Sequence, residues 1–247
     1  MRTFLSLAAL LLVAQLTQAA ESFQSAKITF IQKDVAVADL KVLAPDANGE
    51  VKRREASLNE TVTKDNAVVT GQKSRAELQF NDGTITRLGQ LTSFSFTQGT
   101  RTAQVKQGTA LFVVPKGMGG TTIQAGPVTA AITGTTLLVQ VVDGRVLVYV
   151  YEGSVVVDGK TIEGGQVISV EKGSSVVNRF DVRKGLDTAA VFTKFIESPS
   201  QRQVELQLAE VLKQVGESPT SKSDLQDRAV LEHVVEEQPE PQRELPQ

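Results

Sequence analysis

Six carboxylates stand among glycines and β-branched residues in the middle of the chain: Glu77, Asp82, Asp143, Glu152, Asp158 and Glu163. Two carboxyls held roughly 5–9.5 Å apart can hydrolyse a glycosidic bond, one as acid and the other as base or nucleophile. Turn chemistry explains three of them more simply. Asp82, Asp143 and Asp158 each precede Gly, and Asp-Gly favours turns because both residues tolerate positive φ. Glu77 falls on the polar side of an alternating segment and could pair with Arg75 or Arg87. Arg75, Glu77 and Arg87 therefore read as an exposed polar row suited to contacting a partner. An ion pair in such a row contributes on the order of 0–1 kcal/mol.

Other reactive groups are scarce. The one histidine, His233, lies between Glu232 and Glu236 in an acidic segment and reads as a surface residue. No Gly-x-Ser-x-Gly elbow offers a nucleophile. Cysteine is absent, which removes thiol catalysis, thiolate metal sites and redox motifs. Gly117-Met118-Gly119-Gly120 lacks the spacing of a phosphate loop and the helix that must follow one. With Lys116 it reads as a flexible hairpin loop and a second possible contact element. No catalytic residue, metal ligand or cofactor follows from these side chains.

The elements that must position them are mostly strands. Ala76, Leu78 and Phe80 alternate with Arg75, Glu77 and Gln79, the pattern of a half-buried strand. Asn81-Asp82-Gly83 turns it and Ile85 to Leu88 returns. Further short apolar runs are cut by Gly, Asn-Asp-Gly and Pro: Phe94–Phe96, Thr109–Val114, Val128–Ile132, Thr136–Val142, Val146–Tyr151, Val155–Val157 and Val167–Val170. This predicts a mainly β domain, a compact twisted sandwich, jelly roll or short β-helix of many short strands. Gly134-Thr135 is a tight bend where glycine allows close backbone approach. After residue 181 glycine nearly vanishes and helical spacing takes over, so a small α-helical appendix is expected. Leu186 to Ile196 gives one apolar side. Val204, Leu208, Val211 and Val215 give another, and a third helix follows Ser223-Asp224. That second apolar side either belongs to a solvated surface helix or docks on the β domain or on a partner. Residues 201–247 carry ten acids against five bases.

The chain has 247 residues, 40% of them apolar, and a formal charge of -2. It can bury a core, and it lacks the basic surplus that nucleic acid requires. Arg2, the apolar run Phe4–Ala14 and the small-residue exit at Thr17 and Ala19 follow the order of an export signal. The run is too short for a membrane-spanning helix, which needs roughly 20 residues. The expected organisation is a signal peptide over 1–19, a β domain over 27–181 with residues 21–26 as a flexible lead-in, helices over 182–237, and a disordered tail over 238–247. The mature chain is expected to be soluble outside the cytoplasm, periplasmic or extracellular.

Ser74-Arg75-Ala76-Glu77-Leu78, Asp82-Gly83-Thr84, Thr86-Arg87-Leu88-Gly89, Val105-Lys106-Gln107-Gly108, Val114-Pro115-Lys116-Gly117, Thr133-Gly134-Thr135-Thr136 and Tyr151-Glu152-Gly153 form an ordered series. Over about residues 27 to 172 this series resembles the FecR domain, in its stand-alone exported form. Asp181 to Gln214 resembles the helical appendix of such proteins. The resemblance implies a non-enzymatic periplasmic or surface sensing and interaction domain. Well-known members relay a signal from an outer-membrane transporter to a cytoplasmic sigma factor. This sequence is expected to lack their cytoplasmic domain and transmembrane helix, so iron signalling is not inherited with the name. The expected partner is a protein or an envelope polymer, with self-association through the C-terminal helices as an alternative and glycan hydrolysis as a weaker one.

Overall fold

The computed structural model describes residues 21–39 and 53–216. The expected leader, the third helix with His233 and the C-terminal tail lie outside the described residues. Alternation of apolar and polar side chains builds two sheets that close over one core. In chain order the first sheet contains β1 (Ala26–Gln32), β4 (Thr61–Val62), β6 (Arg75–Phe80), β7 (Ile85–Leu88), β12 (Thr136–Val142), β13 (Arg145–Glu152), β16 (Gln166–Glu171) and β17 (Ser174–Arg179). The second contains β2 (Val35–Asp39), β3 (Arg53–Glu55), β5 (Asn66–Thr70), β8 (Ser93–Thr97), β10 (Thr121–Ala125), β11 (Val128–Ile132), β14 (Ser154–Val157) and β15 (Lys160–Glu163). The long β9 (Thr102–Val113) belongs to both.

Across the first sheet the order is β4-β1-β6-β7-β9-β12-β13-β16-β17. Across the second it is β3-β2-β5-β8-β9-β10-β11-β14-β15. The ladder between β9 and β10 is parallel, with Thr122 opposite Thr102 and Ala125 opposite Val105. The expected mainly β architecture is thus a two-sheet sandwich followed by helices.

The core between the sheets holds Ile28, Leu78, Phe94, Phe112, Ile123, Val148 and Ile168, all at most 1% exposed. Phe23 joins it, with its ring 4.3 Å from that of Phe80. Residues 21–26 are therefore not a loose lead-in: Phe23 exchanges backbone hydrogen bonds with Thr100 and Gly99. The apolar weight of Phe23 keeps this segment on the sandwich, since burying such a ring is worth roughly 1.5–3 kcal/mol.

Three helices follow: α1 (Val182–Thr188), α2 (Ala190–Thr193) and α3 (Gln201–Gly216). Asp181 caps α1 by accepting from the Lys184 amide at 3.0 Å. The single apolar helix side expected from Leu186 to Ile196 is broken instead. Leu186, Val191 and Phe192 are buried, but Ile196 is 77% exposed, because the chain leaves helical geometry after Thr193. Among the described residues no helix is long and apolar enough to cross a membrane.

One residue lets β9 serve both sheets. Gln107 pairs with Ser93 in the second sheet, and Gly108 pairs with Val141 in the first. Gly108 has φ +86°, and a Cβ there would lie 2.4 Å from Thr92 Oγ1 and 2.5 Å from Thr92 Cα. Left-handed backbone alone costs a side chain about 1–3 kcal/mol, and the overlap with the Thr92 backbone adds to it. Gly108→Ala is expected to lower the unfolding free energy measured in urea by at least ~1 kcal/mol, with a lower midpoint; an unchanged midpoint contradicts the bend as described.

Candidate functional site

The alternation in β6 sends Ala76, Leu78 and Phe80 to the core and Arg75, Glu77 and Gln79 to the opposite face, as the sequence implies. That opposite face is not solvent. It is roofed by the helices, and Glu77 and Arg87 are both fully buried. The expected exposed row of Arg75, Glu77 and Arg87 is corrected accordingly. Glu77 and Arg87 face each other across β6 and β7, and their side chains meet at 2.9 Å, Nε to Oε2. Arg75 is half-buried and stands outside the pair, donating to Gln32 Oε1 at 2.9 Å.

Several elements complete this pair. β1 carries a bulge at which Thr29 and Phe30 together face Glu77. An inserted residue of this kind re-aims a side chain, and here Thr29 Oγ1 donates to Glu77 Oε1 at 2.7 Å. From the link between α2 and α3, Ser198 Oγ donates to the same oxygen at 2.5 Å. Arg87 donates through Nη2 to Gln201 Oε1 at 2.9 Å, on the first turn of α3. Its guanidinium carbon stands 4.7 Å from the ring centroid of Phe195, which also packs on Phe30 at 5.0 Å. Burial pulls the Arg87 guanidinium down from its ordinary range, and the Glu77 carboxylate opposes that shift. A buried pair of this kind survives because its remaining donors and acceptors are satisfied.

Around this polar centre lies a second apolar cluster. Ile85, Leu111, Leu138, Leu147, Tyr149, Tyr151 and Val167 from the first sheet meet Val182, Leu186, Val191, Phe192, Val204 and Val211 from the helices. Tyr151 stacks edge-on against Phe180 and Phe192, at 5.1 and 4.9 Å. Of the proposed helical interface, Val204 and Val211 are buried and Leu208 is partly buried against this cluster; the Val215 side chain lies outside the described residues. The α3 face is thus occupied by the chain's own β domain, which leaves Val204 and Val211 unavailable for self-association while the helix stays docked.

The other carboxylates separate cleanly. Asp143 and Asp158 sit in exposed turns with φ +50° and +47°. Asp82 accepts from the Thr84 amide at 2.9 Å, as a turn residue does. It also forms a buried ion pair with Arg101 at 2.6 Å, which the sequence reading missed. Arg101 in turn donates to the Glu21 carbonyl at 2.6 Å and covers Phe23. Glu152 is buried and meets Lys116 at 2.7 Å. Glu77, Asp82 and Glu152 therefore each hold a cation of their own. Among the described residues no group of three or more His, Cys, Asp or Glu side chains is arranged to hold a metal.

Lys116 anchors the loop that reads as a contact element. The loop backbone presses on the bend at Gly134, where a Cβ would come within 2.8 Å of Lys116 Cα. Beyond that anchor the loop is open: nothing lies within 4 Å of a Cβ built at Gly117 or Gly120. Met118 and Gly119 are half-buried between them.

Residues 66–156, from β5 to β14, match the family described as FecR protein. The match is narrower than the expected extent of the resemblance, about residues 27 to 172, and the motif series from Ser74 to Gly153 falls inside it. No curated protein matches the chain. Two crystal structures of a candidate anti-sigma factor from Parabacteroides distasonis ATCC 8503 are similar at 18% identity and a TM-score of 0.44. The similarity covers 48% of this chain and 61% of that protein, so the chain spans about three fifths of its length.

Removing one member of the buried pair leaves the other charge without a partner, at a cost of about 3–5 kcal/mol. Arg87→Met is expected to show that loss in urea denaturation, and Glu77→Gln combined with Arg87→Met is expected to recover most of it. A single variant as stable as the wild type contradicts the pairing.

Proposed function

We propose that this chain is an exported, non-catalytic sensing and interaction module of the bacterial envelope, whose task is to bind a protein or an envelope polymer. The observation that carries this reading is the match of residues 66–156 to the FecR protein family. The order of charged, apolar and small residues over 1–19 supports export. The non-catalytic reading is supported by the carboxylates, since the buried ones are neutralised by Arg87, Arg101 and Lys116.

The buried pair moves the contact surface away from the first sheet, whose outer face is committed to α1–α3. The loop Lys116–Gly120 takes that role. Its base is held by the ion pair to Glu152 and by close packing on Gly134, while Gly117 and Gly120 are open. A held base suits recognition, because it confines the ordering cost of binding to the few residues of the tip.

Two measurements test the reading. Fractionation of cells producing the full chain is expected to recover it outside the cytoplasm, shortened at the residue 19 boundary; an uncut cytoplasmic chain contradicts export. Affinity capture on envelope fractions is expected to enrich one defined protein or glycan. Met118→Asp, which leaves the Lys116 anchor intact, should weaken that capture about tenfold, or ~1.4 kcal/mol. Equal capture by the variant removes the loop from the contact surface.

A further inference from the structure

Each sheet of the sandwich has two edges, and three of the four are blunted. β4 is only Thr61–Val62, and β3 is the charged triplet Arg53–Glu55. β15 is short and begins and ends on charges, Lys160 and Glu163. Short or charged edges are the usual protection against edge-to-edge pairing. β17 differs. It runs Ser174-Ser175-Val176-Val177-Asn178-Arg179, with a single charge at its end. Val176 is 57% exposed and Val177 38%. Among the described residues its only ladder is to β16.

The register of that ladder fixes which backbone groups point away. The Phe180 amide bonds the Gly165 carbonyl at 3.0 Å. Alternation along an antiparallel pair then turns Asn178, Val176 and Ser174 toward β16, and Ser175, Val177 and Arg179 outward.

We propose that β17 is a self-pairing edge, and that two copies of this chain join through antiparallel β17 strands about a two-fold axis at Val177. In this register Val177 faces Val177 of the second copy, and Ser175 faces Arg179. All three outward residues are used, which gives about six backbone hydrogen bonds. Val176 faces Asn178 and lies diagonal to its own counterpart, on the same face. A register centred on Arg179 sets two guanidiniums opposite each other, and one centred on Val176 uses only two of the three outward residues. The strand is thus complementary to itself, as an isologous interface requires. Lys160 reaches this edge, donating to Ser175 Oγ at 2.5 Å and more weakly to the Ser175 carbonyl at 3.4 Å. That carbonyl keeps a second lone pair for the partner strand. The pairing is independent of what the Lys116 loop binds.

Sedimentation of the full chain is expected to show a concentration-dependent monomer–dimer equilibrium. Val177→Lys places like charges at the two-fold and should weaken dimerisation at least tenfold, while Val177→Thr, still β-branched, should keep it. Because the chain has no cysteine, Val177→Cys gives a direct readout. Facing Cα atoms about 5.5 Å apart in a hydrogen-bonded pair suit a disulfide. Mild oxidation is expected to produce a covalent dimer, and Asp143→Cys, on an exposed turn, should not. A wild-type chain that stays monomeric, with no Val177→Cys dimer, overturns the proposal. So does a monomer whose Ser175, Val177 and Arg179 amides resist hydrogen exchange, since another segment of the same chain then covers the edge. Cross-linking of Val177→Cys to a different protein in place of itself overturns the choice of partner.

Discussion

The contact between Glu77 and Arg87 is the constraint on which the arrangement of sandwich and helices depends. Two opposite charges at zero exposure cannot be left to water, and they cannot be left to each other alone. Glu77 needs hydroxyl donors and finds them in Thr29 and Ser198. Arg87 needs a further acceptor and an aromatic face, and finds Gln201 and Phe195. Those partners come from the first strand and from the helical appendix. The pair therefore fixes where α3 begins. Its net contribution to stability is small beside that of the apolar cluster around it, because desolvation of both ions offsets much of their attraction. What it contributes is position: a helix that slides along the sheet loses Ser198 and Gln201 together.

The apolar cluster explains why the helices are needed at all. The outer face of the first sheet carries Ile85, Leu111, Leu138, Leu147, Tyr149 and Val167. Uncovered, it would be a large contiguous apolar surface of the kind soluble domains avoid. The outer face of the second sheet has no such requirement. There Ser93, Gln104, Lys106, Gln124 and Thr129 are half-buried or exposed, and among the described residues the helices pack on the first sheet instead. The two faces of the sandwich therefore have different fates, and the bend of β9 at Gly108 lets one strand serve both sheets.

Much of this is legible in the sequence where a rule is local. Period-2 alternation places Ala76, Leu78 and Phe80 inward, and Asp-Gly places Asp143 and Asp158 in turns. Both hold because neighbouring residues decide them. The fate of Glu77 and Arg87 is not local. Alternation sends them outward correctly, but whether outward means water depends on Ser198, which is 121 residues away from Glu77. Ser198-Pro199-Ser200 reads as a helix boundary, and it is one, yet nothing in that tripeptide names a buried carboxylate as its partner. The bulge that aims Thr29 at Glu77 is equally silent in the sequence. Asp82 shows the same limit: its turn role is local and visible, while its pairing with Arg101 depends on how β9 returns.

The central claim is that α3 is part of the folded domain, held on the first sheet through Glu77 and Arg87, and is not a free arm. Native-state hydrogen exchange tests it most directly, since protection reports the free energy of local opening. The amides of Ile85–Leu88 and those of the docked α3 turns around Val204 and Val211 are predicted to exchange together and slowly. Fast exchange across α3 beside a protected β7 would contradict the account.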